Sequence, residues 1–232
     1  MHQKYKHLFF DLDRTLWDFE KSAIEAFQDI FEKYNLAQKG IDDFIAFHKK
    51  YTDHNHRLWD LYREGMLEKD VLRWKRFYLT LLDYGIDNRE LADAMGTAYL
   101  EISPRKVNLF PHVMETLEYL APKYHLHLIT NGFQEVQEIK IKTSGMDQYF
   151  EKLITSEEAG VKKPDPRIFY YALDKTGALA DESLMIGDDY PVDIEGARQV
   201  GIDQVYFDPD AVSKENNCTY KIRDLLELCH IL

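Results

Sequence analysis

Residues 6–20 read KHLFFDLDRTLWDFE, and the break inside them sets the architecture. The apolar run Leu8-Phe9-Phe10 stops at Asp11, and a second carboxylate, Asp13, follows two positions later. An ionised carboxylate at the end of a buried strand is costly unless something compensates it. The same design recurs further along. HLHLI runs into Thr130-Asn131-Gly132, KLITS into EEAGVKKPDP, and SLMI into Gly187-Asp188-Asp189. QVYF then meets Asp208-Pro209. Apolar runs this short, separated by helix-length segments, read as buried parallel strands.

The segments between them read as helices. Residues 111–121 open with Pro111, which suits a first helical turn. Residues 133–144 carry apolar positions Val136, Ile139 and Ile141 and meet Gly145, a C-terminal cap. The stretch DPRIFYYALDKTG starts at Asp165-Pro166 and closes at Gly177 in the same way. Strand–helix alternation of this kind predicts an α/β fold with a doubly wound, Rossmann-like parallel sheet and ligands at the carboxyl ends of its strands. Residues 18–102 interrupt the alternation with four helical segments and no strand. They predict an inserted all-α helical bundle lying over the acidic pair as a cap. The expected division is 1–17 with 103–232 as catalytic core, and 18–102 as cap. Trp59, Tyr62, Trp74, Phe77 and Tyr78 are expected in the bundle core rather than on a base-stacking surface.

Composition narrows the function. With 232 residues and 45% hydrophobic content the chain can build a real core. No window approaches a membrane span, and the apolar run before Asp11 is too short for a signal peptide, so a soluble cytoplasmic protein is expected. Cys218 and Cys229 are then expected to be reduced. A formal charge of −12 disfavours nucleic acid as a partner, because that binding needs a basic footprint. A small phosphorylated ligand remains compatible, since a cation and a lysine can invert the field locally. His54 and His56 lie two apart on a predicted helix and face different directions, which disfavours zinc.

In a parallel sheet the clusters emerge on one edge, so Asp11, Asp13, Thr130, Lys163 and Asp188 should meet there. Each alone has an ordinary reading: solvated loop acids, a helix cap at Thr130-Asn131, a surface lysine, a turn at Asp188-Asp189. Together, at successive strand ends, they make a site. FFDLDRTLWDFE, LITNG, GVKKPDPRIF and MIGDDYPVDIEGA resemble the four motifs of the haloacid dehalogenase superfamily of hydrolases. The resemblance covers essentially the whole chain. LITNGFQEVQEIKIKTSGMDQYF, with NHRLWDLYREG in the insertion, is most similar to the pyrimidine 5′-nucleotidase branch. Arg14 stands where the superfamily often has glycine, a departure common in this branch.

The resemblance implies a Mg²⁺-dependent phosphomonoesterase that works through an aspartyl-phosphate. Asp11 is then the nucleophile and Asp13 the general acid and base. Dehalogenases of similar fold lack the second acid, so Asp13 favours phosphatase chemistry. Asp11, the main-chain carbonyl of Asp13, and Asp188 are the expected Mg²⁺ ligands. Asp189 and Asp193 carry two readings, orientation of a metal-bound water or a cap on the following helix. Thr130 and an amide of Asn131 are expected to donate to phosphate, and Lys163, preferred over Lys162 because it precedes Pro164, to supply positive charge. Arg14 is expected to face the cap or solvent, with substrate contact left open.

The expected substrate is a pyrimidine nucleoside monophosphate, and the alternative is a phosphatase or phosphomutase for a small sugar phosphate. A non-catalytic phosphate-binding module is disfavoured, since it has no need of Asp13. No large nucleic acid or membrane partner is expected, and the chain would work as a monomer or homodimer.

Overall fold

Five of the six strands form where the short apolar runs lie. The computed structural model describes residues 4–232. It divides into two compact units, Met1–Phe19 with Val107–Leu232, and Glu20–Lys106. The first unit holds β1 (His7–Phe10), and α1 (Phe19–Lys33) begins at its end. The second continues α1 and adds α2 (Phe44–Arg63), α3 (Lys69–Leu82) and α4 (Arg89–Ile102). The chain then returns through α5 (Val113–Leu120), β2 (His125–Thr130), α6 (Gln134–Thr143), β3 (Lys152–Thr155) and α7 (Ser156–Ala159). It closes with α8 (Pro166–Thr176), β4 (Ser183–Gly187), α9 (Glu195–Gln199), β5 (Asp203–Phe207), β6 (Tyr220–Ile222) and α10 (Leu228–Ile231).

All neighbouring strands pair in parallel, in the order β3-β2-β1-β4-β5-β6. Side chains alternate across the pleat. Leu8 and Phe10 join Leu126, Leu128, Leu184 and Ile186 in a core with Val113 and Leu117 of α5. Phe9 joins Ile129, Ile154 and Met185 against Ile168 and Phe169 of α8 and Ala197 of α9. Both faces are thus covered, and β1 is central. On the Phe9 face, at the amino end of the strands, His7 and His127 share a hydrogen bond of 3.1 Å between Nδ1 and Nε2. The His7 ring stacks on His125 at 4.9 Å, and His125 Nδ1 lies 2.6 Å from Glu151 Oε1.

The helical unit has its own core: Phe27 and Ile30 of α1, Phe47 and Tyr51 of α2, Phe77 and Leu81 of α3, Met95 and Tyr99 of α4. Asp43 and Asn88 cap α2 and α4 through their side chains, fixing where those helices start. Two sequence readings need correction. Of the five aromatics expected in the core, Tyr62 and Phe77 are buried and half-buried Tyr78 packs against the helical core, whereas Trp59 and Trp74 are half-buried. Trp74 instead lies beneath Arg89, whose guanidinium carbon is 3.2 Å from the ring centroid. The buried face of α6 is Val136, Gln137 and Lys140, while Ile139 and Ile141 are half-buried. Polar partners pull that helix round.

Candidate active site

The loop after β1 is built to present two acids. Asp11 N–H extends the sheet ladder to Ile186 O at 2.9 Å. Leu12, Leu16 and Trp17 turn inward, so Asp11 and Asp13 share the other side of the loop. Leu16 N and Trp17 N both donate to Leu12 O, which closes the turn. Arg14 takes a left-handed φ of 69° there. That conformation favours glycine, which accounts for the glycine that the resembled superfamily motif often carries where Arg14 stands. Arg14 lies over the Phe19 ring, 5.1 Å from its centroid.

At the carboxyl edge of the sheet, carboxylate oxygens of Asp11, Asp188 and Asp193 lie within 4.8 Å of one another. Lys163, 2% exposed, reaches this group from the loop after α7. Its Nζ donates to Asp11 Oδ1 at 2.5 Å and to Asp193 Oδ1 at 2.6 Å. Lys162 is half-buried, and it is Lys163 that meets the acids. Thr15, fully buried, donates its hydroxyl to Asp188 Oδ1 at 3.0 Å.

Asp11 and Asp193 share the Lys163 ammonium with Asp188 beside them, and this crowding shifts Asp11 and Asp188. Burial, opposed by Lys163 and reinforced by Asp193 and Asp13, pushes Asp11 up to about 7. Burial and the charges of Asp11 and Asp193 push Asp188 up to about 8, against the Thr15 hydroxyl and Arg14. Burial pulls on Lys163 the other way, but Asp11 and Asp193 overcome it and hold the ammonium above its ordinary range.

Thr130, the last residue of β2, does not cap α6, whose N-cap is Phe133. Its Oγ1 accepts from Gly132 N at 3.0 Å and from Gln137 Nε2 at 2.8 Å. With both lone pairs occupied, its own proton is left to donate. The Asn131 side chain is spent differently from expectation. Its Nδ2 donates to Lys163 O at 3.0 Å and its Oδ1 accepts from Lys163 N at 2.8 Å. The side-chain amide therefore holds the lysine backbone through its oxygen and one of its two hydrogens.

The two uncertain acids separate. Asp189 accepts from Val192 N at 3.3 Å and caps the π-helical turn Tyr190–Ile194. Asp193, 1% exposed, belongs to the lysine–carboxylate cluster and also accepts from Asp189 N at 3.2 Å. Gly187 makes room for it, since a Cβ there would meet Asp193 Oδ2 at 2.3 Å.

Asp13 stands slightly apart, with 25% of its side chain exposed. Its Oδ1 pairs with Lys140 Nζ and its Oδ2 accepts from Gln137 Nε2 at 2.9 Å. Sequence reasoning missed Thr15, Gln137 and Lys140. Gln137 and Lys140, three apart on α6, carry no apolar signal that would mark them as buried.

A doubly wound parallel sheet that gathers buried acids and a lysine at its carboxyl edge defines a Rossmann-like enzyme class. Within that class the chain belongs to the haloacid dehalogenase-like hydrolase family, whose model matches residues 8–207. It is 30% identical to the HAD-hydrolase YfnB of Bacillus subtilis over 99% of this chain and 96% of that protein. The magnesium-bound crystal structure of YfnB superposes with a TM-score of 0.89 at 28% identity, covering 99% of each chain. Pyrimidine 5′-nucleotidase YjjG of Escherichia coli is 31% identical over 86% of this chain and 84% of its own length. Pyrimidine 5′-nucleotidase PynA of Streptococcus pneumoniae is 27% identical over 96% of this chain and 94% of its own length.

Proposed function

We propose that this chain is a Mg²⁺-dependent 5′-nucleotidase for pyrimidine nucleoside monophosphates, working through a phosphorylated Asp11. At the coarser level it is a phosphoric monoester hydrolase of its family. The observation that carries the metal-assisted, aspartyl-phosphate part of this reading is the cluster of Asp11, Asp188 and Asp193, two of whose carboxylates pair with the Lys163 ammonium.

The cluster suits a divalent cation. Two buried carboxylates and a half-buried one against one ammonium leave two negative charges unmatched once all three ionise, and the donors are all hard oxygens. Asp11, Asp188 and the carbonyl of Asp13 would hold Mg²⁺, with Asp193 tied to Lys163. When bound, the ion neutralises charge between the carboxylates and a phosphate and polarises the phosphoryl oxygens.

The chain's own groups account for the rest. Asp11 is fixed at a strand end, so its carboxylate approaches phosphorus along one line. As the Asp11 Oδ–P bond forms and the ester P–O bond breaks, the carboxyl of Asp13 gives its proton to the leaving oxygen. In the second half, Asp13 takes a proton from water while the water oxygen attacks phosphorus. The bond to Asp11 breaks and inorganic phosphate leaves. Thr130 donates its free proton to a phosphoryl oxygen, and Lys163 keeps fixed positive charge beside Asp11. The helical unit, inserted directly after the acidic loop, is proposed to select the leaving group while the α/β unit performs the chemistry.

The pyrimidine preference is supported by the likeness to YjjG and PynA. A panel of nucleoside monophosphates and sugar phosphates, assayed with Mg²⁺ for released phosphate, tests it. Uridine and thymidine monophosphates should rank first. Sugar phosphates ranking above them would replace the nucleotidase reading with a sugar phosphatase.

A further inference from the structure

The buried face of α6 is polar where a packing helix is ordinarily apolar. Gln137 is fully buried and Lys140 is 4% exposed. The Gln137 amide gives one hydrogen to Thr130 Oγ1 at 2.8 Å and the other to Asp13 Oδ2 at 2.9 Å. Its orientation is fixed chemically, because a flipped amide would set its oxygen against a carboxylate. Its own Oε1 is buried without a partner, so this side chain is spent on the two acceptors rather than on its own satisfaction. Lys140 Nζ takes the other oxygen of Asp13 and lies 5.4 Å from the Trp17 ring centroid and 5.7 Å from that of Phe19. The backbone is shaped around the arrangement. A Cβ on Gly132 would meet Gln137 Nε2 at 2.4 Å.

We propose that Gln137 and Lys140 are positioning residues for proton transfer, setting the direction of the Asp13 carboxyl and of the Thr130 hydroxyl from one helix face. This rests on the reading of Asp13 as general acid and base. Both oxygens of Asp13 are tied to α6, one by an amide and one by an ammonium, so its side chain has a single defined orientation relative to Asp11. The amide that holds Asp13 also occupies a lone pair of Thr130 and leaves the threonine proton for phosphate. Motifs from two strands are thereby aligned by one glutamine. Ile139 and Ile141, on either side of the Gln137–Lys140 face, are half-buried, so the helix turns its polar positions rather than these two inward.

Two aryl esters test this on any phosphomonoesterase, whatever its natural substrate. Phenyl phosphate has a poor leaving group that needs a proton, and 4-nitrophenyl phosphate a good one that hardly does. kcat/KM reports the first half-reaction for both. Lys140→Met should lower kcat/KM on phenyl phosphate about 100-fold, the scale of general acid catalysis. The loss on 4-nitrophenyl phosphate should be about tenfold smaller, and Lys140→Arg should restore much of the difference. Gln137→Met should show the same ester dependence and serves if Lys140→Met folds poorly. Asp13→Asn is the reference. Should it show ester dependence while the Lys140 and Gln137 variants lose both esters equally, or neither, the positioning claim is overturned. If Asp13→Asn itself loses both esters equally, the acid–base reading falls and takes the positioning claim with it.

Discussion

Lys163 is the residue on which the site's electrostatics turn. Its ammonium lies within the group formed by buried Asp11 and Asp193 and half-buried Asp188, and its two ion pairs are both buried. Lys163→Met therefore strands two carboxylates. Removing one partner of a buried ion pair costs about 3–5 kcal/mol, and that loss should appear in urea melts run in chelator. Added Mg²⁺ should recover part of it, because the cation takes over the neutralisation. Equal destabilisation with and without Mg²⁺ would show that the acids do not share a metal. Asp11→Asn should behave oppositely. Burial and Asp193 already disfavour the ionised Asp11, so a neutral isostere relieves the cluster. Turnover should vanish while the melting temperature in chelator holds or rises. Residual turnover near that of the unsubstituted enzyme would remove Asp11 as nucleophile.

At the scale of elements, α2 and α3 of the helical unit enclose a guanidinium short of acceptors. Arg76 is 2% exposed, and Asn55 Oδ1 at 3.0 Å is its hydrogen-bond acceptor. Its Nε is buried without a partner, and the Tyr51 and Tyr99 rings lie 5.8 and 5.1 Å from its central carbon. Asn55→Asp should convert that bond into an ion pair and stabilise the protein by about 1–3 kcal/mol in chemical denaturation. A destabilised variant would mean that the aromatic faces already satisfy the charge. The same contrast between apolar and polar interiors decides what could be read beforehand. β1 to β5 are continuous apolar runs and were legible. β6 is three residues, Tyr220-Lys221-Ile222, with no such run, and only its pairing with β5 makes it a strand. The acids and Lys163 were legible because a parallel sheet delivers every strand's carboxyl end to one edge. Gln137 and Lys140 were not, because a helical period counts apolar residues, and these two are buried by what they bind. Asn131 was legible as part of the site, but its duty to the Lys163 backbone depends on a tertiary contact.

For the molecule as a whole, buried acids and buried imidazoles make stability depend on pH in opposite directions. Asp11 and Asp188, raised to about 7 and about 8, hold protons in the folded state that the unfolded chain has already released. Their contribution is present at low pH and is lost as pH rises through those values. His127 is pushed down to about 4 by burial and by His7, and burial and His125 lower His7 as well. Lys152 adds to the fall at His127 and Lys6 to that at His7; Glu151 opposes both, and Glu182 opposes it at His7. The unfolded chain takes up protons at these imidazoles near 6.5, so their contribution is complete above that pH and is lost as pH falls toward 4. Below 6.5 the two effects compete. Between 6.5 and 8 the carboxylates act alone, and in chelator the melting temperature should decline across that window. Mg²⁺ binds the ionised carboxylates and should flatten or reverse the decline, since its affinity grows as they lose protons. Asp188→Asn should flatten the chelated profile without metal, which separates the local cluster from repulsion over the acidic surface. His127→Phe should leave the 6.5–8 limb intact and weaken the acid limb. A chelated profile that is level from 6.5 to 8 would mean that the acids at the sheet edge carry no unmet charge, and the case for a cation among them would fail.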